Sequence, residues 1–446
     1  MDWSNAESSV TENETEADDI KTNIRMKKLV LTCCTLLTFA AAHSQTELTL
    51  DSCYTWAKQH YPLIKQENLI EQTKDYNLDN IAKGYLPQVN FSGQVTYQSA
   101  VTSIPSVSLP GFELNIPTPS KTQFNIHGEI TQTLYDGGAA KEQKELYRTG
   151  AETQEQNIEV QLYVLKDRVN QLFFGTLLID RQLEQNKLVQ KDIQNSIDKV
   201  TAGVKAGAAL QTNATELEAE LLKQKQNEIT LKSARKSYLD VLSLFISKPL
   251  DEKTTLKIPV ASTTSTEIHR PEISLFDMQR KTNAIQTNML KASLRPKFTL
   301  FFQGGYALPG LNAFEPDPQL YYITGLRMNW SLSSFYYHKN QAQLLNIDRQ
   351  ALDIQQEIFV LNTTISMKQQ NAEADKLQEL IALDQEIITK RTAVKDAAKA
   401  QLDNGSSTVH DYLNQLNAED LAKQSLMLHQ VQLLMAQFNY NYVSGN

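Results

Sequence analysis

The chain has 446 residues, a net charge of −8 and 21 % charged residues. That length admits two or three ordinary domains, and the mild acidity gives no basic footprint for nucleic acid, which is not expected as a partner. Three cysteines cannot supply a disulfide framework, and the one sustained apolar run, Leu29 to Ala42, falls short of the roughly twenty residues of a spanning helix.

From Met26 the sequence reads MKKLVLTCCTLLTFAAAHSQ, with a basic start at Lys27 and Lys28, an apolar stretch, and small residues at Ala42 and Ser44. These are the parts of a secretory signal peptide over 26–44, cut after Ser44. Residues 1–25, rich in Asp and Glu, sit awkwardly ahead of such a signal and read as a non-native or disordered leader, with translation starting at Met26. Cys33 and Cys34 leave with the signal. Leu31-Thr32-Cys33 lies before the apolar core, where a lipobox lies after it, so no lipid anchor is expected. Cys53 remains as a lone thiol. An exported chain with no further apolar run enters a membrane with strands.

A short helix is expected over Thr49 to Ala57, opened by Asp51 or Ser52, with Pro62 restarting a helix that runs from Leu63 to Ala82 and stops at Pro87. Two alternating strands follow. Val89, Phe91, Gly93, Val95, Tyr97 and Val101 share one face of the first, against Asn90, Ser92, Gln94, Thr96 and Gln98. Phe124, Ile126, Gly128, Ile130 and Leu134 continue the pattern in the second. Strands of this length match the roughly nine to eleven residues that cross a bilayer at a tilt. Asp136, Gly137 and Gly138 then form a strand-to-helix turn.

A helix is expected from that turn to about Val200, with Ile158, Leu162, Leu165, Val169, Leu172, Ile179 and Leu183 spaced as a heptad seam. Gly203 and Gly207 mark a tip turn, with helix resuming from Thr212 to Ile246. Residues 247–270 read as a linker holding one short strand, Leu256 to Val260. The second half repeats the order. Pro271 opens a helix and Pro296 ends it. Two strands follow: Phe298, Leu300, Phe302, Gly304 and Tyr306 on one face, then Leu320 to Leu332. A long helix runs from Tyr336 to Leu402 with Ile347, Ala351, Ile354, Ile358, Leu361 and Ile365 at heptad spacing. A tip turn at Asn404-Gly405 leads to a last helix carrying Leu428, Val431, Met435, Phe438 and Tyr442.

Landmark spacings mark this as a duplication, with repeats at 45–246 and 271–446. Pro62 to Pro87 and Pro271 to Pro296 are both 25 residues, and Leu134 to Gly207 and Leu332 to Gly405 are both 73. Pro87 to Leu134 is 47 residues against 36 for Pro296 to Leu332, so the length difference falls between strands. Long helical arms lying side by side must turn back in one plane, which holds arm length constant and leaves loop length free.

Leu48-Thr49-Leu50 with Tyr61-Pro62-Leu63, Tyr85-Leu86-Pro87-Gln88-Val89, Tyr135-Asp136-Gly137-Gly138 and Gly405 through Asp411-Tyr412-Leu413, in this order and spacing, resemble the TolC-like outer membrane efflux protein family over essentially all of 46–443. The resemblance implies a mainly α protein with a membrane β-barrel: three protomers giving four strands each to a twelve-stranded barrel, and long helical hairpins forming a tunnel across the periplasm. It implies a passive exit duct in the cell outer membrane, in contact with outer-membrane lipid, for a tripartite efflux or type I secretion system. Partners would be a periplasmic adaptor and an inner-membrane efflux or secretion transporter. Asp411 takes the position of the family's acidic pore ring, with Asn414 one helical turn later. Asn213 corresponds to Asp411 in the first repeat, and Ser407 stands where a basic latch partner is expected. The second strand-to-helix turn departs from the pattern, reading Ser333-Ser334-Phe335.

No catalytic, cofactor or metal constellation is present in the sequence, and none is expected. Asp411 on its own reads equally as a helix cap or as a pore constriction. Tyr97, Tyr306, Tyr321, Tyr322 and Trp330 suit lipid interfaces and ordinary strands alike. A soluble periplasmic or surface coiled-coil adaptor or adhesin remains the alternative reading of the whole chain.

Overall fold

The structure is a computed structural model that describes residues 47–102, 108–109, 111–113, 118–260 and 265–446. The leader and signal peptide fall outside the described residues, as do Pro105, Pro110 and Pro117 of the inter-strand connection. No described helix is long and apolar enough to cross a membrane.

Helix α1 (Leu50–His60) is capped by Thr49, whose Oγ1 accepts from Ser52 N at 3.3 Å. The cap is thus two or three residues ahead of the expected Asp51 or Ser52, because Thr49 already has the extended backbone that a cap needs. Pro62 opens a single 3₁₀ turn, Pro62–Ile64, which leads into α2 (Lys65–Lys83). Strand β1 (Gln88–Tyr97) stops short of Val101. A two-residue pair, β2 (Ser108–Leu109) and β3 (Phe112–Glu113), lies in the connection to β4 (Thr122–Tyr135).

The expected single helix after the first strand pair is divided at Val164 into α3 (Ala139–Tyr163) and α4 (Leu165–Lys205). Val164 keeps helical angles, φ −60° and ψ −24°, so the chain continues in the same sense. Helix α5 (Gln211–Ile246) returns antiparallel. The expected strand at Leu256 to Val260 is reduced to one parallel bridge between Leu48 and Leu256. Leu48 N donates to Thr255 O and Lys257 N to Leu48 O, after which Pro259 has no N–H to extend a ladder.

The second repeat supplies α6 (Pro271–Ala292), β5 (Lys297–Leu308), β6 (Gln319–Asn329), α7 (Ser334–Asp403) and α8 (Val409–Ser444). Trp330 and Leu332 lie beyond β6, in a turn where Phe335 N donates to Leu332 O, and α7 begins two residues before the expected Tyr336. With 70 residues α7 extends about 105 Å.

The four long strands form one antiparallel sheet in the order β1-β4-β5-β6. The β4–β5 pairing joins the repeats at the centre, and β1 and β6 are the two edges. Away from the sheet, α1 packs Leu50, Cys53 and Ala57 against Val169, Phe173 and Phe174 of α4 and Leu242 and Ile246 of α5. A second apolar cluster lies at the far end, where Val189, Ile193 and Ile197 of α4 meet Leu217 and Leu221 of α5 and Val409, Tyr412, Leu413 and Leu416 of α8. The repeats are also fastened at the C-terminus. His269 N donates to Ser444 O, and Arg270 bonds Tyr442 O at 3.1 Å while its guanidinium stacks on Tyr163 and Tyr442 and pairs with Glu272.

The two heptad seams have different fates. Along α3 and α4 the seam residues Ile158, Leu162, Leu165, Val169, Ile179 and Leu183 are buried within the chain. Along α7, Ile347, Ile354, Ile358, Leu361 and Ile365 remain 45 to 59 % exposed. A helix-on-helix core is the expectation for both; among the described residues no segment covers the second.

Candidate functional site

The arms end in two tips built alike. At the first, Gly207 takes φ +73°, and Gly207 N and Ala208 N donate back to Val204 O and Gly203 O. At the second, Gly405 takes φ +74°, with Gly405 N and Ser406 N donating to Leu402 O and Gln401 O. Both are paired 5→2 and 6→1 closures that satisfy the last helical carbonyls, and the left-handed residue is glycine because a Cβ there is costly. Gly203 contributes its carbonyl to the closure from the last turn of the helix. It lies inside α4, where its missing side chain admits Ala209, a Cβ at Gly203 falling 3.3 Å from Ala209 Cβ.

The tips differ in how the returning helix starts. Helix α5 begins after Leu210, which offers no side-chain cap, and Asn213 N bonds only the Leu210 carbonyl among the backbone contacts there. Helix α8 begins with a reciprocal capping box. Asp411 N donates to Thr408 Oγ1 at 3.1 Å, while Asp411 Oδ2 accepts from the Thr408 hydroxyl at 2.6 Å, from Thr408 N at 3.3 Å and from Ser407 Oγ at 3.4 Å. Bonds from the Thr408 hydroxyl and then the Thr408 N–H hold the Asp411 carboxyl below its ordinary value of 3.8.

Asp411 and Asn414 share the exposed face of the first turn of α8, opposite the buried Tyr412, Leu413 and Leu416. A groove of about 660 Å³ beside Asp411 is lined by Val394, Ala398, Ser407 and Gln415. Two contacts cross between the tips: an ion pair from Lys199 Nζ to Asp403 at 2.8 Å, and His410 Nδ1 3.4 Å from a Glu216 carboxylate oxygen. Asn213 and Ser407 take part in neither. These four partners carry no sequence signal, since each pair joins exposed side chains about two hundred residues apart.

At the opposite end of the arms, Asp136 supplies the cap of α3. Its carboxylate accepts from Gly138 N at 2.8 Å and Ala140 N at 2.5 Å. Burial alone would raise this carboxyl, but bonds from Ala140, Tyr85 and Gly138 more than offset it and the net shift is downward. Gly137 and Gly138 take φ +80° and +88°. In the second repeat Ser333 has ordinary helical angles, φ −62° and ψ −24°, so that turn needs no glycine.

The sheet has two unlike faces. Val89, Phe91, Val95, Ile126, Phe302, Leu320, Tyr322 and Met328 stand exposed on one. The other carries a polar network: Tyr321 donates to Asn125 Oδ1 at 2.9 Å, Gln303 Nε2 to Tyr321 at 3.0 Å, and His127 Nδ1 lies 2.9 Å from Asn125 Oδ1. On this face Arg327 donates to Glu129 at 2.9 Å and stacks over Phe301. Among the described residues no three His, Cys, Asp or Glu side chains are grouped as metal ligands.

A short two-faced sheet on paired helical arms also occurs in solved structures. The chain is similar to CusC, whose structures concern transmembrane channel formation, with a TM-score of 0.65 and 13 % identity over 90 % of this chain and 93 % of that one. It is similar to the outer membrane protein VceC of Vibrio cholerae, with a TM-score of 0.61 and 11 % identity over 89 % and 96 %. The open state of the Neisseria gonorrhoeae MtrE outer membrane channel gives 0.62 and 13 % over 89 % of each chain. The chain has the TolC-like fold. No family model and no curated protein matches the sequence. The TolC-like fold nonetheless extends over nine-tenths of the chain, so arms, tips and sheet form one architecture.

Proposed function

We propose that the protein is an outer-membrane channel, a passive exit duct in which three copies close their sheets into one twelve-stranded barrel and join their arms into a periplasmic tunnel. The observation that carries this reading is the sheet itself. It exposes an apolar face, has a polar opposite face, and leaves both edges, β1 and β6, unpaired among the described residues. In lipid an open edge strands backbone N–H and C=O groups without partners, so such a sheet becomes stable only when closed with other copies. The uncovered seam of α7 supports the same assembly, since a second copy buries it.

A duct of this kind has no energy source of its own, and an inner-membrane efflux or secretion transporter docked through a periplasmic adaptor would drive export of small molecules or proteins. Asp411, held ionised by its capping box, forms with Asn414 the cation-favouring constriction at the tip, and the glycine turns at Gly207 and Gly405 fix where the hairpins end. The test is single-channel recording of the purified protein in a planar bilayer, wild type against Asp411→Ala, across a salt gradient. Discrete openings whose cation preference falls in the variant support the duct and its constriction. Openings unchanged by the substitution keep the duct and remove Asp411 as the filter. Protein that stays soluble without detergent and never inserts returns the reading to a soluble coiled-coil protein.

A further inference from the structure

We infer that Glu129 and Arg327 form the charge-setting element of the barrel wall: a matched pair whose charges cancel each other, so that neither forms a ring of one sign in the lumen. The inference rests on the channel reading above. Strands β1, β4, β5 and β6 contain one carboxylate, Glu129, one guanidinium, Arg327, and one ammonium, Lys297, which is the first residue of β5. Glu129 lies in the middle of β4 and Arg327 two residues from the end of β6, both on the polar face, and their side chains meet at 2.9 Å. Phe301 holds the guanidinium plane from below, its centroid 4.6 Å from Arg327 Cζ.

The two residues are 198 positions apart, the same offset that separates Gly207 from Gly405. They are therefore equivalent positions of the two repeats, carrying opposite charge. A duplicated acid at both positions would place six carboxylates around a barrel of three copies, and a duplicated base six cations. With one of each these two positions sum to zero, and Lys297 at the helical-arm end of β5 is the charge left over on that face.

The geometry makes this position sensitive. Twelve strands about 4.8 Å apart, tilted by about 40°, enclose a backbone cylinder of about 12 Å radius. Side chains reaching inward bring three like charges close enough to enrich one ion sign on the order of several-fold, less at high salt. Breaking the pair from either side leaves such a ring.

The test compares reversal potentials across a potassium chloride gradient for wild type, Glu129→Gln, Arg327→Gln and the charge-swapped Glu129→Arg/Arg327→Glu protein. Arg327→Gln is expected to shift selectivity several-fold toward cations, Glu129→Gln toward anions, and the swap to return to wild type. Unchanged potentials in both single variants, or shifts of the same sign, overturn the pairing role. If a single variant fails to assemble, the swap against Glu129→Gln/Arg327→Gln, both neutral, must still match wild type, and a difference between them overturns the inference. Channels that form with wild-type selectivity in every variant refute this proposal alone. Absence of any channel in the wild type refutes the function on which it rests.

Discussion

Thr408 and Asp411 each satisfy the other's backbone donor, so the start of α8 depends on two side chains where the start of α5 depends on none. Thr408→Ala is expected to destabilise the tip by about 1 kcal/mol, read as faster amide exchange over the first turn of α8. The carboxyl gives this tip a pH dependence. Its folded pKa lies below its unfolded value, so its contribution is present above that unfolded value, near 3.8, and is lost as pH falls through the folded value. Protection of the first turn should therefore fall in acid, and Asp411→Asn should flatten that dependence. At the strand-to-helix turn, Gly137→Ala forces a side chain into a left-handed conformation and to 2.9 Å from Ala292 O. A loss of at least about 1–2 kcal/mol is expected in thermal melts, whereas Ser333→Gly at the equivalent turn should cost less, its backbone being helical. The glycines of the tips were legible in the sequence because a left-handed residue leaves few choices. The Thr49 cap was not, because Asp51 and Ser52 cap equally well by residue type and only the backbone angles decide.

At the scale of elements, the same heptad period describes α4 and α7, yet one seam is buried within the chain and the other is bare. Period reports that a helix has an apolar stripe; it does not report whose surface covers it. Lysines at Ile358 and Leu361 are expected to abolish the heat-resistant trimer in detergent while leaving the helical circular dichroism of the monomer intact. Val169→Lys, in the buried seam of α4, should instead unfold the chain, because a lysine there has neither water nor partner. Alternation in β1, β4, β5 and β6 was legible for the complementary reason, that each strand's two faces meet unlike surroundings. The linker strand at Leu256 was overread, since a short apolar run needs a partner ladder and Leu48 supplies a single bridge. The Lys199–Asp403 and His410–Glu216 pairs were invisible, since only the packing of the hairpins brings these exposed side chains together.

At the scale of the molecule, Arg270 closes the circuit between the start of the second repeat and the end of the chain, pairing with Glu272, bonding Tyr442 O and packing against the stacked rings of Tyr163 and Tyr442. Arg270→Ala leaves Glu272 without its partner and is expected to cost about 3 kcal/mol, measured as a lower dissociation temperature of the assembled protein. The sheet order has a further consequence, one of parity. Four antiparallel strands per copy is an even number, so β6 of one copy and β1 of the next run in opposite directions however many copies meet. Hydrogen-bond polarity in the wall is therefore satisfied equally by two, three or four copies, and the barrel cannot count. In the proposed assembly of three, the count would be set by the helical arms, through the angle at which the exposed seam of α7 meets its neighbour.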